Sequence, residues 1–128
     1  DVRAHTNSIP GQASSWMGPR IIDKITAAQE AGHPFYALEF FPPSTIEGAR
    51  NLIPRMDRLA QLQPPPLFVD VTWAPAAGKR TMETLVAAKG VCGLDVQMHL
   101  TCTDLPCDAA EAILADAAQA GIRGLMLL

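Results

Sequence analysis

The sequence lacks a basic stripe or any cluster of lysine and arginine residues. It has 10 basic and 13 acidic side chains among 128 residues, a formal charge of −3. This mildly acidic balance disfavours nucleic acid as a partner. No apolar run approaches the ~18 residues that a membrane span requires, and the polar start has no apolar segment typical of a secretory signal. We therefore expect a protein that binds neither nucleic acid nor a membrane.

Cysteine is scarce, and its three positions, Cys92, Cys102 and Cys107, form no C-x-x-C motif. This usage is typical of reduced thiols in a cytosolic protein, so a cytoplasmic location is expected. Both common phosphate-binding loops, G-x-G-x-x-G and G-x-x-x-x-G-K-[ST], are absent, so a nucleotide cofactor would be held in another way. No Ser-His-Asp arrangement is recognisable. No second His or Cys stands at metal-ligand spacing around His99, so no metal site is predicted.

The apolar content of 48% is sufficient for one domain with a hydrophobic core. Residues 1–13 are polar, contain Pro and Gly, and are predicted to form a loose N-terminal arm. Residues 14–128 are predicted to form the domain. Within it, helical and strand-like patterns alternate, and the strands begin about 30 residues apart, the length of one βα unit. This order predicts a parallel sheet with right-handed crossovers.

Helix ends are predicted from capping residues. Ser14 or Ser15 is expected to cap the first helix. Ser44 and Asp108 each precede a Glu by three residues, which is the capping-box spacing, and are expected to begin the second and fourth helices. Pro54 lies within the second helix. Because proline removes a backbone N–H and clashes with the preceding turn, a kink or a restart is expected there.

Two architectures fit this order: a small open α/β sheet, or about the first four strands and helices of a parallel (β/α)8 TIM barrel, which needs ~250 residues in all. Along each strand, every second residue is apolar, and the residues between them become polar toward the carboxyl end; we call these two sets the apolar and the polar parity. In a barrel the polar parity faces inward and ends at the catalytic mouth, which favours the barrel. The apolar side chains expected to be covered by helices are Leu38, Phe40, Val69, Val71, Val96 and Met98.

Glu39, in the apolar run "YALEFFPP", is the first candidate for chemistry. A carboxylate between Leu38 and Phe40 is expected to be poorly solvated, which would favour its protonated form and suit a general acid. The alternative is a structural Glu that pairs with a cation or caps the next helix. Thr72 and Trp73 would suit a planar ligand at a barrel mouth, or only hydrogen bonding and packing. A lone histidine is more often structural than catalytic.

Three elements occur in order along the chain: "LEFFPPSTIEGARNLIPRMDRL", "FVDVTWAP" and "MHLTC". Together they resemble the methylenetetrahydrofolate reductase family, in the N-terminal part of its catalytic barrel. The similarity runs from about Phe35 to Leu128. The E-F-F-P-P element is fairly specific, and the other two are weak alone. Their order, at one βα unit each, makes the combination a strong signal.

The resemblance implies a (β/α)8 barrel that holds FAD and reduces 5,10-methylenetetrahydrofolate to 5-methyltetrahydrofolate. The electron donor would be NAD(P)H, and the pathway would be one-carbon metabolism. By the same resemblance, Glu39 is the general acid that helps to open the five-membered ring of the folate into a reactive iminium. Thr72 and Trp73 match positions that contact flavin or nicotinamide, and His99 matches a flavin-contacting histidine. The partner is thus a small-molecule folate, and the full-length protein is compatible with a homo-oligomer.

The chain departs from the usual pattern of the family at Ser44, where the family has Arg, and at Pro54. It also ends at Leu128, where the family continues with an Arg-Gly-Asp stretch. We therefore expect the full-length protein to be an enzyme, and the 128-residue piece alone to be inactive and to aggregate or pair with another copy. The alternative is a non-catalytic, small open α/β domain that binds a ligand or partner through its loops.

Overall fold

A computed structural model describes residues 18–73 and 78–128. The predicted N-terminal arm, residues 1–13, lies outside the described residues. Within the described ranges, four helices alternate with four strands. In chain order they are α1 (Ile21–Glu30), β1 (Ala37–Phe40), α2 (Ile46–Ala60), β2 (Phe68–Val71), α3 (Gly78–Gly90), β3 (Val96–Leu100), α4 (Cys107–Gln119) and β4 (Gly124–Leu127).

The four strands form one parallel sheet in the order β1-β2-β3-β4, so each strand pairs with the next along the chain. The prediction of a parallel βα arrangement is confirmed. Because the strands share one direction, their carboxyl ends meet at one edge of the sheet. In the register, Glu39 pairs with Asp70, and Asp70 pairs with Gln97. One parity of neighbouring strands therefore forms a continuous polar row.

The hydrophobic core lies between the apolar parity of the sheet and the helices. Val69, Val71, Val96 and Met98 are buried, as predicted. They pack with buried side chains from α2, α3 and α4, which are Met56, Leu85, Ala88 and Ala117. The remaining two predicted side chains, Leu38 and Phe40, are partly buried and contact the same core, because β1 is at the edge of the sheet.

Helix α1 lies against the opposite, polar face, near the amino ends of the strands. Lys24 forms an ion pair with Asp95, which has the same parity as Gln97. A β-carbon added at Gly124 would lie 2.9 Å from Cδ1 of Ile21 and 3.2 Å from Cβ of Gln97. Glycine at position 124 therefore allows α1 to approach the sheet closely. The carboxyl ends of the strands on this face lie beyond this contact.

The structure corrects three predicted helix starts. α1 begins at Ile21 with Arg20 as its N-cap, so this helix is not capped by Ser14 or Ser15, two positions that lie outside the described residues. Residues 18–20 are not helical, and Pro19 disfavours helix in the residue before it. The cap of α2 is Thr45, not Ser44, and its Oγ1 accepts a hydrogen bond from the Gly48 N–H at 3.0 Å. α4 begins at Cys107 after Pro106, which leaves Asp108 in the first turn.

Pro54 does not interrupt α2, which continues from Ile46 to Ala60, so the predicted restart is wrong. The packing of Leu52, Ile53 and Met56 against the core holds the helix together on both sides of the proline. Tertiary contacts thus override the local loss of one hydrogen bond. None of the helices that the structure describes has the length and apolar character needed to cross a membrane.

Candidate active site at the carboxyl ends of the strands

Glu39 lies near the end of β1 on the polar face of the sheet, opposite the side that α2, α3 and α4 cover. Its side chain is 51% exposed. The expectation that its apolar neighbours leave it poorly solvated is therefore wrong for this chain. Leu38 and Phe40 alternate with Glu39 and point to the other face, because successive side chains of a strand lie on opposite sides. Flanking residues in the sequence do not bury a strand residue.

His99, on β3, is the centre of the site. Its Nδ1 atom lies 3.5 Å from Oε1 of Glu39, and its Nε2 atom lies 3.2 Å from Oδ1 of Asp70. The imidazole is 11% exposed. The structure thus brings together two residues predicted from the sequence, Glu39 and His99, although they are sixty positions apart along the chain. It adds a second carboxylate between their strands.

Asp70 is not among the candidates that the sequence predicts, which include Thr72 and Trp73 from the same element, "DVTW". Its side chain is 15% exposed. Two signals could have identified it: it shares the parity of Thr72, and in a parallel sheet it is placed beside Glu39. The second signal requires the strand register, which a single sequence does not provide.

Burial raises the pKa of the Asp70 carboxyl above its ordinary value. The nearby His99 partly offsets this change, and the negative charge of Glu39 adds to it. The desolvated carboxyl of the site is therefore Asp70, two strand positions before Thr72, and not the Glu39 carboxyl that the sequence favoured.

The contact between Asp70 and His99 is close but poorly aligned. The 3.2 Å separation of Nε2 and Oδ1 is within hydrogen-bond distance. Both atoms are nevertheless buried without a hydrogen bond of acceptable angle among the described residues. Since a buried polar atom without a partner is costly, a small rotation of the imidazole toward Oδ1 would be favourable.

Thr72 follows β2 on the parity of Asp70 and is partly buried. Its backbone N–H donates to the Phe40 carbonyl at 3.0 Å, which extends the pairing of β1 and β2 by one step. Its carbonyl accepts a hydrogen bond from the Thr81 hydroxyl at 3.0 Å. These two bonds fix the backbone of Thr72 at the carboxyl edge of the sheet, next to the beginning of α3.

Trp73 has the opposite parity and lies on the helix side of the sheet. It contacts the hydrophobic core, and its indole lies so close to α3 that a β-carbon at Gly78 would stand 2.6 Å from Cη2. With Met82 and Ile113 it lines a cavity between α3 and α4. The structure therefore does not place the indole beside Glu39 and His99.

This arrangement brings a carboxylate and an imidazole close together at the carboxyl edge of the sheet. Among residues 18–73 and 78–128, no group of three or more His, Cys, Asp or Glu residues is arranged to hold a metal ion. Glu39 is accessible to a ligand on the polar face, and His99 is held between two carboxylates. The fold is a run of parallel βα units, with the titratable side chains Glu39, Asp70 and His99 toward the carboxyl ends of its strands, the end that carries the active site in parallel (β/α) barrels.

Comparisons with known proteins agree with this class. The profile of the methylenetetrahydrofolate reductase family matches residues 24–128. The chain belongs to this family, whose fold is a TIM barrel. It is 34% identical to methylenetetrahydrofolate reductase (NADH) 1 of Arabidopsis thaliana over 111 residues, a match that covers 85% of this chain. It is 35% identical over 103 residues, 78% of this chain, to methylenetetrahydrofolate reductase 2 of Saccharomyces cerevisiae.

A more distant relative is a probable methylenetetrahydrofolate reductase (NADPH) of Caenorhabditis elegans, 28% identical over 101 residues, or 73% of this chain. The matched regions cover 18%, 17% and 15% of the Arabidopsis, yeast and nematode proteins. The chain thus spans less than a fifth of the length of these relatives. The four strands correspond to part of a barrel wall.

Proposed function

We propose that this chain is part of an enzyme that reduces 5,10-methylenetetrahydrofolate to 5-methyltetrahydrofolate with NAD(P)H, through a bound FAD. The observation that carries the proposal is the contact of Glu39 with His99 at the carboxyl edge of a parallel sheet, 3.5 Å apart. Membership of the reductase family supports this function over that of a non-catalytic binding domain. The names of the relatives include both NADH and NADPH.

The polar face of the sheet is open to a ligand at the carboxyl ends of its strands. The described helices α2, α3 and α4 lie on the other face, and α1 approaches only the amino ends of the strands. The side chain of Glu39 is accordingly exposed, and so is Met126, which pairs with His99. We propose that Thr72 and His99 contact the flavin. When bound, FAD would accept a hydride from the nicotinamide and supply one to the folate.

We propose that His99, Thr72 and Trp73 make different contributions to the site. His99 presents its ring on the polar face, and Thr72 is fixed at the edge of the sheet by its two backbone hydrogen bonds. Trp73 lies behind them against α3, so we propose that it supports the edge of the site from the helix side. Substituting His99 or Thr72 is therefore expected to weaken flavin binding more than Trp73→Phe does.

Glu39 is proposed to act as the general acid. Its carboxyl group would give a proton to a nitrogen of the five-membered ring of the folate. The C–N bond then breaks with its electron pair going to that nitrogen, which leaves an iminium carbon electrophilic enough to accept a hydride. The accessibility of Glu39 allows the folate to reach it, and His99 holds one side of the carboxyl group.

The test uses the protein encoded by the complete gene. We expect it to purify as a yellow flavoprotein whose colour NADH or NADPH bleaches, and to recover its colour when 5,10-methylenetetrahydrofolate is added. Comparing the two donors at equal concentration establishes the preference. A colourless protein that binds no added FAD would contradict the proposal. The isolated 128-residue chain is expected to be inactive, because its polar face is open to solvent where a closed barrel would exclude water.

A further inference from the structure

Asp70, whose Oδ1 atom is buried, has no role in the proposed reaction as described so far. A carboxylate is costly to bury unless hydrogen-bond donors compensate for lost water. Asp70 is nevertheless much less exposed than its strand neighbour Glu39. Its buried Oδ1 faces the buried Nε2 of His99 at 3.2 Å, and neither atom has another hydrogen-bond partner among the described residues. Within the described part of the chain, each of these two atoms is therefore the other's nearest candidate for a hydrogen bond.

We propose that Asp70 is a positioning residue that sets the tautomer of His99, an inference that rests on the proposed function of Glu39. An ionised carboxylate only accepts hydrogen bonds, so of the two neutral tautomers of His99 it favours the one that carries its proton on Nε2. In that tautomer Nδ1 is unprotonated, and its lone pair faces Glu39 at 3.5 Å. Asp70 thus determines, through the imidazole ring, whether Glu39 faces an unprotonated Nδ1 or an Nδ1–H group.

This tautomer suits a general acid. An unprotonated Nδ1 accepts a hydrogen bond from the carboxylic acid form of Glu39, whereas it repels the ionised form. The reverse tautomer would donate its Nδ1–H to the ionised carboxylate and stabilise the form that has no proton to give. In the proposed reaction Asp70 therefore acts on Glu39 through the imidazole ring and does not touch the substrate itself.

On the described strands beside His99, Glu39 and Asp70 are the charged residues that face the ring and can influence its tautomer. From β1 the ring meets Glu39, and from β2 it meets Asp70. The residue paired with His99 on β4 is Met126, which has no charge. The ion pair of Lys24 and Asp95 lies on the same face, but at the amino ends of the strands. The tautomer is thus decided between two carboxylates.

The first test measures the ring directly in the complete, flavin-free protein. Diethyl pyrocarbonate acylates an unprotonated imidazole nitrogen, and peptide mass spectrometry locates the product. In the wild type the free lone pair is on Nδ1, toward the accessible Glu39. Asp70→Asn has the same shape, but its amide can donate to Nε2 and stabilise the reverse tautomer. The free lone pair is then the buried Nε2, so acylation of His99 should become about fivefold slower.

Two internal controls accompany this measurement. His33, which is exposed, should react at the same rate in every sample and serves as the reference. Asp95→Asn makes the same chemical change at the amino end of the same sheet face and should leave His99 acylation unchanged. Unchanged or faster acylation of His99 in Asp70→Asn would overturn the assignment, because loosening of the structure alone would increase reactivity.

The second test separates the two half-reactions of the flavin-loaded enzyme. Asp70→Asn should leave flavin reduction by NAD(P)H within about twofold of wild type and slow the folate half-reaction by about tenfold or more. Equal slowing of both half-reactions would indicate a general structural role and contradict the proposal. If the wild-type protein reduces no folate but Asp70→Asn still slows acylation, the proposed function fails while the control of His99 by Asp70 stands.

Discussion

Glu39 and Asp70 occupy paired positions on β1 and β2, so two carboxylates lie side by side on the polar face of the sheet. Like charges in paired positions of neighbouring strands repel each other. His99 contacts both carboxylates, one with each ring nitrogen. The arrangement separates their roles by exposure, because Glu39 is accessible to a ligand whereas Asp70 is largely buried. The predictions below follow from this difference and from the packing that supports it.

Glu39→Gln in the complete protein should abolish folate reduction and preserve flavin binding and flavin reduction by NAD(P)H. The amide keeps the shape of the side chain but has no acidic proton to transfer. The measurement is the rate of each half-reaction by stopped-flow absorbance of the flavin. Glu111→Gln, an exposed carboxylate on α4, is the control and should behave as wild type. Normal turnover of folate by Glu39→Gln would exclude Glu39 as the general acid.

Asp70→Asn should stabilise the fold at neutral pH relative to wild type. Burial raises the pKa of Asp70 above its usual 3.8, so between those two pKa values the native state binds more protons than the unfolded state. The contribution of Asp70 to the free energy of unfolding is therefore present at low pH and is lost as pH rises from about 3.8 through the raised pKa. The asparagine cannot ionise and has no such loss.

The measurement for this prediction is the difference in urea midpoint between Asp70→Asn and wild type, taken at several pH values from 3 to 8 in otherwise equal buffers. The difference should grow in favour of the variant as pH rises, then become constant. A difference that does not change with pH would show that Asp70 titrates alike in the folded and unfolded protein. Greater stability combined with slower folate reduction would be the sign of a residue kept for function.

Leu85→Ala should destabilise the protein by about 2–5 kcal/mol, because removing a fully buried leucine loses its burial and leaves a cavity. Leu85 is buried on α3 against the sheet. The control is Val86→Ala at the next position of the same helix, which is exposed and should change stability by at most about 0.5 kcal/mol. Urea denaturation followed by circular dichroism gives both values. Similar losses for the two variants would contradict the packing of α3 described above.

Thr45→Ala should cost about 1 kcal/mol of stability, because the threonine Oγ1 accepts the Gly48 N–H at the start of α2. Ser44→Ala, one position earlier, makes a comparable change outside the cap and should have little effect. The two variants are compared by thermal unfolding in the same buffer. A larger loss of stability for Ser44→Ala than for Thr45→Ala would contradict the cap at Thr45 and support the Ser44 capping box that the sequence predicts.

Several features were predictable because they depend on local pattern. The spacing of about 30 residues between strands requires a crossover connection, and so predicted the parallel sheet that the structure contains. Gly32 and Gly121 lie just past the ends of α1 and α4, where glycine is common in sequences. Both have positive φ, 66° and 70°, which glycine adopts without strain. Capping was less predictable, because Ser44 and Thr45 both suit the cap and the choice depends on where the chain turns after β1.

The residues of the site were predictable in kind but not in arrangement. The alternation of side chains along each strand was enough to place Glu39 and His99 on one face, because that parity is a property of the chain itself. The burial of Asp70, the exposure of Glu39 and the contacts of both with His99 depend on which residues of separate strands lie side by side. That register arises only when β1, β2 and β3 pair and the helices cover one face, so it is decided by tertiary packing and cannot be read along a single strand.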